Sequence, residues 1–302
     1  MNWSVYNQSL VRRGELVIAF DVIDNWDEEL KEMNKDKIGE PFHYPNTFLL
    51  LLGYAKVYFH LPYRQTEGIA QGHAKWKVPS IPDFTTINRR INKLNIQINN
   101  NNNKDKVSED GYLIIAIDST GIKVTNRGQW MRDKWDIRNN NNKKGYLKIH
   151  VAVNVKSKKI LSMKVTDEHV HDSKALPELV ENIIKSDNVT AIGKLLGDGA
   201  YDNNDVFRYL SDNGILPCIK VRNNARVRWK KGNILRNLSV LKQRNNLQKW
   251  KDSVSYGQRW IAETVFSSIK RMFGEYVYSV RLKNMIQEMM LKASLYNKMI
   301  SN

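Results

Sequence analysis

Tyr256, Arg259, Glu263 and Lys270 stand three, four and seven residues apart in the stretch SYGQRWIAETVFSSIKRMFGE. At about 100° per residue, a helix brings these four side chains within roughly 60° of one another. A phenol, two cations and a carboxylate then share one stripe, a set suited to a metal-bound phosphate. Beside them Ala262, Phe266, Ile269 and Phe273 recur at the spacing of a core-facing stripe, which anchors the helix and turns its polar edge to a cleft. Taken alone, the same charges read as a solvated helix surface whose ion pairs contribute roughly a few tenths of a kcal/mol.

Two upstream carboxylates change that balance. Asp118 closes the apolar run YLIIAID and Asp198 closes AIGKLLGD, each where a strand hands a side chain to the surface. If the strands are neighbours, these aspartates and Glu263 converge. Three oxygen donors without cysteine suit Mg²⁺ or Mn²⁺ rather than zinc. Two such ions, about 4 Å apart, can activate an attacking water or 3′-hydroxyl on one side of a phosphodiester and stabilise the leaving oxygen on the other. Each aspartate by itself reads as a turn or cap residue. Asp202 in GDGAYD rivals Asp198, but stands where a helix N-cap is expected before NNDVFRYL. His169, His171 and Asp172 in EHVHDSK lack the HExxH or CxxC form of a zinc site, and Asp172 or Ser173 reads as a cap. His150 in LKIHVAV is expected in the sheet, and Trp130 and Trp135 read either as core or as DNA contacts beside Asp118.

Charge narrows the partner. With 48 Lys and Arg against 31 Asp and Glu, the 302-residue chain carries a net +17, which favours a polyanion, nucleic acid first. The excess is uneven: Ile219 to Lys251 holds eleven Lys and Arg and no acid, whereas the first forty residues are net acidic. Arg226, Arg228, Trp229, Lys230 and Lys231 lie in this block, and with Trp250 it interleaves cations with aromatics, as stacking on bases or cation–π contact requires. The plain alternative is a solvated loop. Thr47 to Leu61 is too short to span a membrane and contains Lys56, and MNWSVYNQSL shows no signal peptide. Cys218, the single cysteine, reads as a small buried hydrophobe, and a reducing, cytoplasmic setting follows.

The elements that must position these groups fall into two textures. Leu10 to Asn34 carries helical periodicity and Tyr44 to Leu61 reads as a buried helix after Pro41 and Pro45. RQTEGIAQGHAKW and DFTTINRRINKL, broken at VPSIP, read as two short helices with a tight connection, similar to a helix-turn-helix whose second helix presents Arg89, Arg90 and Lys93. Helix pairs of this kind also occur without any DNA contact. The asparagine runs 99–103 and 139–142 mark loops. Beyond the first run, YLIIAID, LKIHVAVNV and ILSMKVTDE follow one another without a helical crossover and favour antiparallel pairing. AIGKLLGD and ILPCIKV alternate with helices and favour parallel pairing. Neither GxGxxG nor GxxxxGK[ST] is present, which disfavours dinucleotide and P-loop chemistry.

AIDSTGIKV, GQW, KIHVAVN, EHVHDS, LLGDGAYD, RNNAR and above all the Tyr-x2-Arg-x3-Glu-x6-Lys signature resemble DDE transposases of prokaryotic insertion sequences, specifically the insertion sequence 5 family. NWSVYNQSLVRRG, LPYRQTEG and VPSIPDFTTINRR look like that family's N-terminal region, so the resemblance covers nearly the whole chain. It implies an α/β, RNase H-like catalytic domain at 106–302, with a mixed five-stranded sheet flanked by helices and a basic insertion at about 222–255, behind an N-terminal helical region at 1–105. It implies Asp118, Asp198 and Glu263 as a triad for two Mg²⁺ or Mn²⁺ ions, with Tyr256, Arg259 and Lys270 positioning DNA phosphates. Implied activities are cleavage of double-stranded DNA at terminal inverted repeats and joining of the 3′-hydroxyls to target DNA, by a homodimer or higher multimer on the DNA. SYGQRW departs from the family's more usual histidine- and arginine-rich wording before the glutamate, and the asparagine runs look like loop expansions. Two alternatives stand beside this: a transposase-derived DNA-binding protein that no longer cuts, and a stand-alone nuclease that releases ends without joining them.

Overall fold

The computed structural model describes residues 3–4, 7–8, 11–12, 14, 25–98, 107–108, 111–124, 146–186, 191–230 and 232–301. Both asparagine runs, residues 10, 13 and 15–24 of the first expected helix, Trp130, Trp135 and Lys231 lie outside the described residues. The chain divides into two compact units, Ile98–Tyr278 and a second made of Met1–Gln97 together with Ser279–Asn302.

The second unit is helical. It holds α1 (Trp26–Asn34), α2 (Asn46–Tyr58), α3 (Tyr63–Ala74), α4 (Phe84–Ile91) and the C-terminal helix Leu282–Ser301. Pro45 and Pro62 occupy the N-cap positions of α2 and α3 with extended backbone, where a missing N–H costs nothing. As its apolar run implies, α2 is enclosed, with Phe48, Leu49, Leu52 and Val57 all buried. Asp83 caps α4 by accepting from the backbone N–H groups of Thr85 and Thr86 at 2.7 and 2.8 Å. The connection from α3 to α4 runs through 75–83, longer than the tight turn expected of a helix-turn-helix. Arg89 is exposed, whereas Arg90 turns inward, donating to Asn46 Oδ1 at 2.8 Å and lying 4.1 Å from the Phe42 ring centroid.

The C-terminal helix belongs with α2 and not with the sheet, unlike the division at residue 105 drawn from sequence. It packs where Gly53 leaves room: a Cβ there would meet Leu291 Cδ2 at 2.9 Å. Tyr54 and Ser294 share a buried hydroxyl hydrogen bond of 2.8 Å, and Gln287 Nε2 donates to the carbonyls of Ile91 and Leu94.

The first unit is built on a mixed sheet. β1 (Leu113–Val124), β2 (Tyr146–Asn154), β3 (Ile160–Asp167), β4 (Ile192–Gly197) and β5 (Leu216–Ile219) lie in the order β3-β2-β1-β4-β5. β1, β2 and β3 pair antiparallel, and β4 and β5 join β1 in parallel, the RNase H-like arrangement. Two helices, α5 (Asp172–Ile184) between β3 and β4 and α6 (Asn204–Asp212) between β4 and β5, supply the crossovers. Leu176, Leu179 and Val180 of α5 and Phe207 and Leu210 of α6 form one core with Ile115, Ile117 and Leu195. The basic segment is a loop only in part: Arg226, Arg228, Trp229 and Lys230 lie outside helix and strand, and the chain then folds as α7 (Ile234–Asn245) and α8 (Leu247–Val254) ahead of α9 (Trp260–Phe273). A sixth, two-residue strand, β6 (Tyr276–Val277), pairs in parallel with Lys123 and Val124.

Cys218 is 1% exposed on β5, and burial pushes its thiol up to about 11. Below that pH the thiol stays neutral and unreactive. Iodoacetamide at pH 8 is therefore expected to spare the native protein and to alkylate it fully in urea, read by mass spectrometry.

Candidate active site

Parallel pairing between β1 and β4 ends at Ala116↔Leu196. Continuing that register by two residues sets Asp118 level with Asp198, on neighbouring strands about 5 Å apart. The sequence reading places Asp118 at a strand end, but β1 runs on to Val124 because β2 accompanies it as far as Lys123↔Tyr146. What ends at this point is β4. Asp198 leaves the sheet in extended conformation, and its carboxylate accepts from the Ala200 N–H at 2.9 Å, capping the 3-10 turn Gly199–Tyr201. A Cβ on Gly197 would meet Tyr201, Ile117 and Ile219 at 3.2–3.5 Å, so a side chain before Asp198 would press on the Tyr201 ring.

Glu263 arrives on the first turn of α9, whose Ile261, Ala262, Val265, Phe266 and Ile269 are buried, as the core stripe requires. Arg259 closes the arrangement. One guanidinium nitrogen lies 3.4 Å from Asp118 Oδ2, and the other donates to Glu263 Oε1. Burial raises the Asp118 carboxyl above its ordinary range; Arg259 opposes that rise, and the charges of Asp198 and Glu263 add to it. Burial disfavours the charged guanidinium, but Tyr256, Asp118 and Glu263 outweigh that and hold Arg259 above its usual pKa. A cleft of about 540 Å³ is lined by Asp118, Ser119, Glu263, Ser267, Lys270 and Arg271, among others.

Among the described residues no three His, Cys, Asp or Glu side chains form a ready-made metal cluster. Arg259 stands as the cation between two of the carboxylates. The donor set nevertheless fits a hard divalent cation: it offers only oxygens, and like charges already crowd Asp118.

Tyr256 departs from the expected stripe. Ser255 takes a left-handed conformation (φ 55°) and Tyr256–Arg259 form a 3-10 turn ahead of α9, so the four signature residues do not share one continuous α-helix. The phenol is buried, donates to the Gly197 carbonyl at 3.0 Å and is pushed up to about 12 by desolvation. Its ring packs on Trp250 at 5.1 Å, which makes Trp250 a core residue and not a stacking platform. Trp229 is 61% exposed, and Arg226, Arg228 and Lys230 are exposed beside it in sequence.

Asp202 is no helix cap; Asn203 takes that role, accepting from the Asp205 N–H. Asp202 is buried against Arg236, which donates to both its oxygens at 2.6 and 3.1 Å, and accepts from the Arg222 N–H at 2.9 Å. This pair escaped the sequence reading because its members are 34 residues apart. Asp172 likewise is not the N-cap of α5, a position held by His171. Its carboxylate lies 2.7 Å from Lys148 Nζ and 3.2 Å from the ring nitrogen of His150, which is buried in the sheet as expected.

A family model described as Transposase DDE domain matches residues 109–298, and a second with the same description matches residues 11–127. The chain belongs to the DDE transposase family. Among solved structures, a simian T-cell lymphotropic virus intasome in complex with the PP2A regulatory subunit B56 gamma is similar at 12% identity over 69% of this chain and 67% of that one, with a TM-score of 0.25. The Mos1 transposase paired-end complex with the left transposon end is similar at 10% identity over 80% and 82%, again with a TM-score of 0.25. Likenesses this distant carry no argument about geometry. The family model spans all three acids of this transposase and its Tyr-Arg-Glu-Lys signature.

Tyr256→Phe removes one of two donors to the Gly197 carbonyl, which keeps the Lys220 N–H at 3.1 Å. A loss of about 0.5–1.5 kcal/mol in urea unfolding is expected.

Proposed function

We propose that this transposase cleaves double-stranded DNA at the terminal inverted repeats of its element and joins the 3′-hydroxyl ends to target DNA, with Asp118, Asp198 and Glu263 as its catalytic, metal-binding residues. The observation that carries the reading is the β1–β4 register, which brings Asp118 level with Asp198 while Arg259 ties Asp118 to Glu263. The three carboxylates would hold Mg²⁺ or Mn²⁺, two ions in all, which when bound would activate the attacking oxygen and stabilise the leaving one.

The protein's own groups do the positioning. Lys270 lines the cleft with Asp118 and Glu263 and is placed to neutralise a flanking phosphate. The planar donors of Arg259, now on carboxylates, match a phosphate equally well. Tyr256 acts from behind, fixing the carbonyl that precedes Asp198. Arg226, Arg228, Trp229, Lys230 and Lys231 supply a basic surface for the DNA strand, with Arg89 as a further contact on the helical unit. Arg90, engaged with Asn46 and Phe42, supports that unit rather than the DNA. Action at two element ends calls for a homodimer or higher multimer on the DNA. Among the described residues no helix is long and apolar enough to cross a membrane, in keeping with work in the cytoplasm.

A second reading, a DNA-binding protein that no longer cuts, is favoured by Arg259 closing the carboxylates. Incubation of the protein with Mg²⁺ and a duplex bearing the repeats separates the two. The wild type is expected to nick and join ends, and Glu263→Ala to lose both while binding the duplex within a few fold of wild type. Cleavage that survives in Glu263→Ala would overturn the assignment, and ends released but never joined would make the protein a nuclease.

A further inference from the structure

A second cavity of the sheet unit lies apart from the carboxylate cleft. It measures about 930 Å³ and opens between the start of α5, the start of α6 and the segment that follows β5. Its cations come from distant parts of the chain: Lys174 from α5, and Arg222, Arg226, Arg228 and Arg236 from beyond β5. Two of them are already held. Arg236 is paired with Asp202, and Arg222 donates from Nε to the Gly199 carbonyl at 2.9 Å. Lys174, Arg226 and Arg228 are exposed, and none makes an ion pair among the described residues. The acids that line the cavity do not cancel them: Asp202 is spent on Arg236 and the Arg222 N–H, and Asp205 pairs with Arg208 at 3.5 Å.

The rest of the lining identifies the ligand class. Small-molecule sites are mostly apolar with a few polar groups. This cavity instead adds Ser173, Asn203, Asn204 and Asn224 to its cations, and Arg, Lys, Ser and Asn are the side chains that contact phosphate oxygens in protein–DNA complexes. Its position links it to the catalytic acids. Asp198 and Asp202 bracket the single 3-10 turn Gly199–Tyr201, about 8 Å of backbone. A group gripped in the cavity is thereby referenced to Asp198.

We propose that this cavity is a second DNA subsite, which holds the phosphodiester backbone of a strand away from the carboxylate cleft and so sets where the strand lies relative to Asp198. The inference rests on the reading of DNA as substrate. It adds Lys174, outside the basic block, to the residues that grip it.

The test measures binding of a short fluorescein-labelled duplex to the full chain by anisotropy across a range of salt. Lys174→Gln combined with Arg226→Gln is expected to weaken binding by about tenfold or more at 0.1 M salt. The slope of log affinity against log salt should become shallower by about two, since each phosphate contact contributes about 0.9. Lys31→Gln combined with Lys185→Gln removes the same charge elsewhere and is expected to leave the slope close to wild type. Lys174→Arg, in an otherwise wild-type chain, is expected to retain wild-type binding. Both double variants should unfold at the wild-type urea midpoint, because the substituted side chains are exposed. Equal slopes for the two double variants would overturn the subsite while leaving the substrate reading intact. Failure of the wild type to bind any duplex would overturn both.

Discussion

Parallel register between the two central strands is the constraint on which the site depends. Ile114, Ile115 and Ala116 lie against Lys194, Leu195 and Leu196, and a slip of one residue would send Asp118 and Asp198 to opposite faces of the sheet. The core enforces the register, because Ile115, Ile117 and Leu195 are all buried beneath α5 and α6. Apolar packing on one face of the sheet therefore fixes the spacing of charges on the other. Glu263 is added by a separate element, and Arg259 ties its carboxylate to that of Asp118.

The framework was legible because it rests on patterns that local sequence displays. Short apolar runs rich in Ile, Val and Leu marked all five main strands, and the absence or presence of an intervening helix gave their direction. The core stripe of α9 gave the orientation of Glu263. What escaped depends on partners distant in the chain. Asp118 reads as the end of its strand, but pairing with β2 keeps Ser119, Thr120 and Gly121 extended beyond it. Tyr256 obeys helical spacing on paper, yet the left-handed Ser255 and the tighter 3-10 turn rotate it into the interior. Trp250 sits among cations in sequence and against Tyr256 in space.

Buried amides explain why a strongly basic segment folds at all. Gln243 is enclosed near the end of α7, donating to the Ile219 carbonyl at 2.9 Å and accepting from the Val221 N–H at 3.0 Å. Asn237, fully buried, accepts from the Arg228 N–H at 3.0 Å. These clamps fasten the segment to the end of β5 without using its charges, so Arg226, Arg228 and Lys230 remain exposed. In sequence both amides are indistinguishable from ordinary helix surface.

The division of the chain bears on how the protein matures. Ser279–Asn302 completes the unit begun by Met1–Gln97, so the sheet unit is an insertion within a discontinuous partner. On a ribosome, α2 would emerge with Gly53 and Tyr54 uncovered and would wait for Leu291 and Ser294 until the helix Leu282–Ser301 had been made. The sheet unit, contiguous from Ile98 to Tyr278, has no such delay. The transposase would thus acquire its sheet unit before its helical unit, and the apolar α2 would be a target for chaperones during that interval.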